Sequence, residues 1–300
     1  MTPARRQVLG VALTLFSALT YSFYPSASRA VYAQGGNAAF MILVATGARA
    51  IGLSLYCLLK QKPLFKEKGT GKITFTGGFL QALTNIAIFC ALAFMPGPIV
   101  ITITFTSTLM LLGMLIIRGE VKASANNIGA ALVSLLGVTI VLDLWSTDAA
   151  YQLMGIALAF GAALASAWRM YLYNHQLKKR DPIVVGAETF LIAFVFILPF
   201  MFFSLPQLPA ETSGYVWAFA GCLSLIISSF AMFYGIAMIG SFQYSLMLKS
   251  EPIFTALLSA WLLNEVLSTS QYAGMGIVIA SLAAYQLIDF KSRQRALKTP

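Results

Sequence analysis

The chain has 300 residues, 59% of them hydrophobic and 10% charged, with a formal net charge of +10 and a mean hydropathy of +0.80. Soluble domains carry about 25% charged residues, so a soluble core is excluded. A nucleic-acid partner is excluded too, because such a protein clusters its bases on one folded domain, whereas these lie in short tracts beside apolar runs.

Apolar runs of about 20 residues, the length that crosses ~30 Å of hydrocarbon, occur at residues 8–33, 38–59, 73–95, 99–117, 125–144, 152–174, 183–205, 215–239, 242–263 and 271–288. They are about twice as long as a barrel strand and lack its alternation, so they are helices. The predicted fold class is all-α: a polytopic membrane protein with ten transmembrane helices. The first run follows Arg5 and Arg6 and contains Ser26, Ala27 and Ser28, features that imitate a cleaved signal. Removing it would leave nine spans and break the charge pattern, so it reads as an uncleaved helix.

Between these runs the basic residues alternate by side. Arg5, Arg6, Lys60, Lys62, Lys66, Lys68, Lys72, Arg118, Lys122, Lys178, Lys179, Arg180, Lys291, Arg293, Arg295 and Lys298 fall at the termini and on every second connection, and the opposite connections have none. The positive-inside rule places that side, with both termini, in the cytoplasm, and a bacterial inner membrane is the expected location. These cations are expected to orient the chain and do little else. Cys57, Cys90 and Cys222 lie inside apolar runs without metal-ligand spacing, so neither a metal nor a cofactor is expected.

The chain repeats itself. A shift of 145 residues carries Gly10, Ala12, Leu13, Ala18 and Leu19 onto Gly155, Ala157, Leu158, Ala163 and Leu164, and Glu120 and Gly129 onto Glu265 and Gly274. A shift of 143 carries Gly78, Leu80, Met95 and Gly97 onto Gly221, Leu223, Met238 and Gly240. The predicted units are residues 1–147 and 148–300. Each has an odd number of spans, so the second enters the membrane from the opposite face, the inverted repeat of many secondary transporters, whose sites lie near the midplane.

The stretch SLMLKSEPIFTALLSAWLLNEVLSTSQYAG, Ser245 to Gly274, resembles the signature of the drug/metabolite transporter superfamily, in its ten-helix EamA branch. Glu251, Pro252, Glu265 and Gly274 fill the signature's places, and Arg118, Gly119, Glu120 and Gly129 answer in the first half. The resemblance covers the whole chain and matches Arg49 to the arginine of the family's second helix and Arg29 to the basic residue ending its first. It implies a transporter of amino acids or related metabolites, and export rather than import. The chain departs from the pattern at Tyr21 to Tyr24, where the family has Trp-Gly, and at Lys249, where it has a neutral residue.

Four cations are left over from the loops: Arg29, Arg49, Arg169 and Lys249. Arg29 lies near the end of its run and Arg169 about nine residues from the basic loop, within partial reach of snorkelling. Arg49 is ~16 Å from either end of its run, too deep to escape, and needs a partner or a hydrated cavity. Glu251 lies mid-membrane and is the candidate for proton coupling. An Arg49–Glu251 pair that only fixes packing is the plainer reading. Lys249 would point ~200° away from Glu251 on an ideal helix, but Pro252 frees the Leu248 carbonyl, and a kink there could bring Lys249 inward. Glu188 reads as interfacial.

Polar residues complete the candidate binding site. Gln81 and Asn85 are one turn apart and a shift of 143 brings them onto Ser224 and Ser228, which suggests two helices facing a hydrated centre; interhelical hydrogen bonding is the alternative. Thr102 and Thr106 share a helix face. Tyr21, Tyr24, Trp168, Tyr171 and Tyr244 could form an aromatic wall, while Tyr32, Trp145, Tyr151, Tyr215 and Trp217 fit the interfacial belt.

Deep cations outnumber deep carboxylates, so the expected substrate is a small polar metabolite, a carboxylate or zwitterion, moved by alternating access, with membrane lipid and protons as the other partners. An exporter of cationic or aromatic drugs would need Glu251 and the aromatic wall to dominate. A membrane-embedded enzyme acting on a lipid-linked substrate would place catalytic groups at an interfacial mouth, where the lone His175 has no ligand partner in the sequence. No catalytic role is expected.

Overall fold

The computed structural model describes residues 2–66, 71–143, 153–263 and 266–298, and these residues contain helices and no strand. Glu265, Lys68, Trp145, Tyr151 and the predicted span ends at 144 and 152 lie outside the described residues. The helices are α1 (Pro3–Tyr21), α2 (Phe23–Tyr32), α3 (Ala38–Leu59), α4 (Gly71–Ala91), α5 (Gly97–Phe105), α6 (Ser107–Ile117), α7 (Ala125–Val141), α8 (Leu153–Gln176), α9 (Pro182–Phe200), α10 (Thr212–Ile239), α11 (Ser241–Met247), α12 (Glu251–Leu263) and α13 (Thr269–Lys298). Among the described residues eight rods, with α1–α2 and α5–α6 each taken as one, are long and apolar enough to cross a membrane; α7 is a shorter apolar helix, and the predicted span 242–263 is divided between α11 and α12. Large apolar side chains such as Leu132, Leu136, Phe160, Leu164, Val216 and Phe219 point outward, the surface that a bilayer covers.

Local chemistry sets the boundaries. Asn37 Oδ1 accepts from Phe40 N at 2.9 Å, Ser124 Oγ from Asn127 N at 3.2 Å, and Asp181 Oδ1 from Ile183 N at 3.0 Å, so α3, α7 and α9 begin with side-chain caps. Three rods predicted as continuous are broken. α1 gives way to α2 at Ser22, four residues after Ala18 and just ahead of Pro25, which has no N–H for the Tyr21 carbonyl. α11 and α12 are separated by one 3-10 turn, Leu248–Ser250, immediately before Pro252. α5 and α6 are separated at Thr106, where Thr104 Oγ1 donates to Val100 O at 2.7 Å and Thr106 Oγ1 to Ile103 O at 2.6 Å; such back-bonding bends helices. A shift of 145 residues carries Thr104 and Thr106 onto Lys249 and Glu251, so two breaks occupy equivalent places.

Extensively packed helix pairs include α1 with α10, α4 with α8, α3 with α9, α7 with α13, α4 with α9 and α10 with α3. Advancing every rod by five along the chain exchanges the first pair with the second and the fifth with the sixth, and returns the other two to themselves. α4 and α10, expected to face each other across a hydrated centre, both pack against α3 and α9.

At the α7–α13 crossing backbone approaches backbone closely. A Cβ added to Gly274 would sit 2.7 Å from Val141 N and 2.9 Å from Gly137 O, and one added to Gly137 would sit 2.7 Å from Val278 Cγ2. Small residues permit such approach between membrane helices. Gly129, the repeat counterpart of Gly274, has nothing within 4 Å of its Cβ position. Gly274→Leu is therefore expected to lose at least about 1–3 kcal/mol of stability while Gly129→Leu loses little, measured as unfolding midpoints in mixed micelles; equal effects would contradict the crossing.

One end of the bundle gathers the basic connections. Lys62 Nζ donates to Asp181 Oδ2 at 2.6 Å, His175 Nε2 lies 3.1 Å from Glu120 Oε1, Lys178 Nζ lies 3.5 Å from Glu120 Oε2, and Gln7 Nε2 donates to Asp289 Oδ2 at 3.4 Å. Burial pushes the Asp181 carboxyl up, but the Lys62 ammonium and two backbone N–H groups hold it below the usual carboxylate range. The loop cations thus do more than orient the chain. Arg180, counted among them, is buried: its Nη2 donates to Glu188 Oε1 at 2.9 Å and Oε2 at 2.8 Å, and its Nη1 to Thr74 Oγ1 at 3.0 Å. Glu188, read as interfacial, is 1% exposed and also accepts from Phe65 N at 2.7 Å. The loop after α3 folds back over the start of α9, which seals the carboxylate from water.

Candidate functional site

The Arg49 guanidinium, near the middle of α3, lies between two rings, with Cζ 5.6 Å from the Tyr21 centroid and 5.0 Å from that of Phe190. Its Nε is buried without a hydrogen-bond partner, and among the described residues no carboxylate is within ion-pair distance. The plainer expectation, a direct Arg49–Glu251 pair, is not what forms. Glu251 sits where α12 begins, inside the fields of Lys249 and Arg49, with no hydrogen bond among the described residues. Tyr24, one turn beyond Tyr21 with ring centroids 6.5 Å apart, also feels the Arg49 charge.

Lys249 does turn inward, as the break before Pro252 suggested. It is 1% exposed, and its Nζ donates to the backbone carbonyl of Phe105 and lies 4.1 Å from the Phe105 ring centroid. That carbonyl is the last of α5, and the N–H of Leu109 bonds Thr106 O at 2.9 Å instead. One break therefore supplies the acceptor and the other the cation. Lys249 is satisfied by protein, unlike Arg49.

A second cation lies across the aromatic core. Arg169 on α8 donates through Nη1 to Gln81 Oε1 and through Nη2 to Ser166 Oγ at 3.2 Å, and its Cζ lies 5.6 Å from the Tyr173 centroid. Gln81 Nε2 donates onward to Asn85 Oδ1 at 3.0 Å. Arg169 Nε and Tyr173 OH are buried and unpartnered. Phe233 bridges the two cations, 5.2 Å from Tyr173 and 6.3 Å from Phe190 between centroids. The polar pair Gln81 and Asn85 thus serves α8 rather than facing α10.

Ser228 is likewise taken up by a helix contact: its Oγ donates to Ser17 O at 2.9 Å, and Ser17 Oγ lies 3.2 Å from Tyr244 OH. Tyr244 is buried but feels Glu251, Tyr21 and Arg169. Thr102 Oγ1 is buried and unpartnered, whereas Thr106 marks the α5–α6 break. Trp168 does not join the others; it is 51% exposed on the outward stripe of α8 with Phe160 and Leu164, because a residue next to the inward Arg169 is turned ~100° away. Tyr171 packs against His175, with ring centroids 4.6 Å apart and planes tilted by 51°, instead of forming a wall with Trp168. Phe190, Phe233, Tyr173, Phe105 and Ser17 carry no mark in the sequence that separates them from ordinary packing residues.

Apolar helices long enough to cross a bilayer, with Arg169 and Lys249 buried among them, define an all-α polytopic membrane protein. Residues 153–285 match the EamA-like transporter family. The match lies within the second half of the chain, and it points to a membrane transporter of the drug/metabolite transporter type. A solved crystal structure is similar over 96% of this chain and 98% of its own, with a TM-score of 0.80 and 13% identity; this likeness concerns the fold alone. No curated protein matches the chain in sequence.

Proposed function

We propose that the protein is a secondary active transporter that exports a small zwitterionic or carboxylate metabolite, an amino acid or a close relative, by alternating access. In this reading residues 1–147 and 148–300 are inverted repeats that rock about the midplane site, in a bacterial inner membrane with both termini in the cytoplasm. The observation that carries it is Arg49, a half-buried guanidinium beside the rings of Tyr21 and Phe190 whose Nε is buried and unpartnered. Leaving a charged donor without its hydrogen bond costs at least about 1–3 kcal/mol, and a carboxylate accepts from a guanidinium through two parallel bonds. A substrate carboxylate fits that vacancy. In this reading Glu251, in the fields of Arg49 and Lys249 but bonded to neither, takes the substrate ammonium or a proton exchanged against it. Export is the direction that resemblance to the family favours.

The test is counterflow in proteoliposomes against amino acids, dicarboxylates, nucleosides and quaternary amines. Amino acids or carboxylates are expected to exchange, and Glu251→Gln to keep exchange while losing its response to an imposed pH gradient. Competition by quaternary amines and not by carboxylates would transfer the site to cationic drugs.

A further inference from the structure

Lys249 and Phe105 are 144 residues apart in the chain, one in each predicted repeat, and they meet where both repeats break. The Phe105 carbonyl is free to accept because the N–H groups of Leu109 and Met110 both turn to Thr106 O, at 2.9 and 3.1 Å. A helix carbonyl left without its own N–H needs another donor, and the Lys249 ammonium supplies it, with the Phe105 ring centroid 4.1 Å from Nζ. Beside this bond Thr108 Oγ1 and Ser245 Oγ lie 2.8 Å apart, so α6 and α11 share a second polar contact. Behind Lys249 the turn Leu248–Ser250 packs on α1, α7 and α13. At 1% exposure the ammonium is closed to any solute in this conformation. It joins two parts of the protein and does not face a substrate.

The contact has no twin. A shift of 145 residues carries Thr104 and Phe105 onto Lys249 and Ser250, yet Thr104 Oγ1 donates back to Val100 O at 2.7 Å, inside its own helix. Rocking of one inverted repeat against the other exchanges the surroundings of equivalent elements. A bond made by one member of an equivalent pair and not by the other therefore belongs to one conformation and is lost in the opposite one.

We propose that Lys249 is a positioning residue, a latch that clamps the α11–α12 break to the α5–α6 break, favours the conformation of this structure and releases Phe105 O when the repeats rock. The latch rests on the alternating-access reading but not on the identity of the substrate. Losing a hydrogen bond from a charged donor moves a two-state equilibrium about tenfold or more.

The test is disulfide trapping in proteoliposomes. Thr108→Cys with Ser245→Cys, in a chain whose Cys57, Cys90 and Cys222 are replaced by alanine, reports how often the two breaks meet, as the rate of cross-linking by copper phenanthroline. Cross-linking is expected to be fast with Lys249 in place, to slow at least about threefold with Lys249→Met, and to recover with Lys249→Arg, which keeps a cationic donor. An unchanged rate in a folded Lys249→Met protein would overturn the latch, as would an arginine variant no faster than the methionine one. Since Lys249→Met could fail to fold, the cysteine pair decides alone in that case. Closing the disulfide is expected to stop amino-acid counterflow and dithiothreitol to restore it, whereas full counterflow by the cross-linked protein refutes the latch. A protein that exchanges no amino acid or carboxylate, while its cross-linking still depends on Lys249, would refute the proposed substrate and support the latch.

Discussion

Replacing Arg49 by alanine is expected to reduce counterflow of the zwitterionic substrate about 100-fold or more, with little change in unfolding midpoint. A charge-assisted hydrogen bond contributes about 1.5–3 kcal/mol, and a two-bond contact to a carboxylate reaches or exceeds the upper figure, which corresponds to ~150-fold at 1.4 kcal/mol per decade. Stability changes little because the side chain spends no ion pair on the fold; its protein contacts are the rings of Tyr21 and Phe190. Arg49→Lys separates charge from geometry. An ammonium cannot present two parallel N–H groups or lie flat against both rings, so the lysine variant is expected to keep less than about a tenth of the wild-type rate. A fully active lysine variant would mean that charge alone suffices, and a fully active alanine variant would remove Arg49 from the site.

The largest stability effect is expected at the opposite kind of position. Arg180→Ala or Glu188→Ala leaves a charge buried without its partner, at about 3–5 kcal/mol each, and Glu188→Ala also strands Phe65 N–H. Removing both charges together, as Arg180→Met with Glu188→Leu, should restore much of the loss, because apolar replacement of a buried pair is commonly close to neutral. Unfolding of the four proteins in mixed micelles closes the cycle. Losses that simply add would mean that the two side chains do not act on each other, contrary to their 2.8 Å contact.

What sequence can register explains the difference between these two sites. Span lengths and the side of each loop follow from apolar run length and cation placement, and the break before Pro252 follows from a missing N–H; all are local properties. Arg49 was conspicuous because a deep cation in hydrocarbon is costly wherever its partner is. Its actual neighbours were not, since Phe190 is one of 22 phenylalanines and nothing local marks the one that meets α3. Arg180 and Glu188 failed for a related reason. Each lies near an interface in linear order, and only the return of the 60–66 loop over α9, visible in the bond from Phe65 N, turns an interfacial position into a buried one. Trp168 shows the converse, because an aromatic beside a functional arginine shares its depth but not its direction.

The short α7 has a consequence for how the protein is made. Its 17 residues extend ~26 Å at 1.5 Å per residue, less than the ~30 Å of hydrocarbon around it, and its principal neighbour is α13, which is synthesised much later in the chain. Until α13 is inserted, the backbone face around Gly137 that later meets Gly274 has only lipid against it. The packing of α7 waits for α13, and a nascent chain stopped anywhere before α13 carries an undersized helix without its mate.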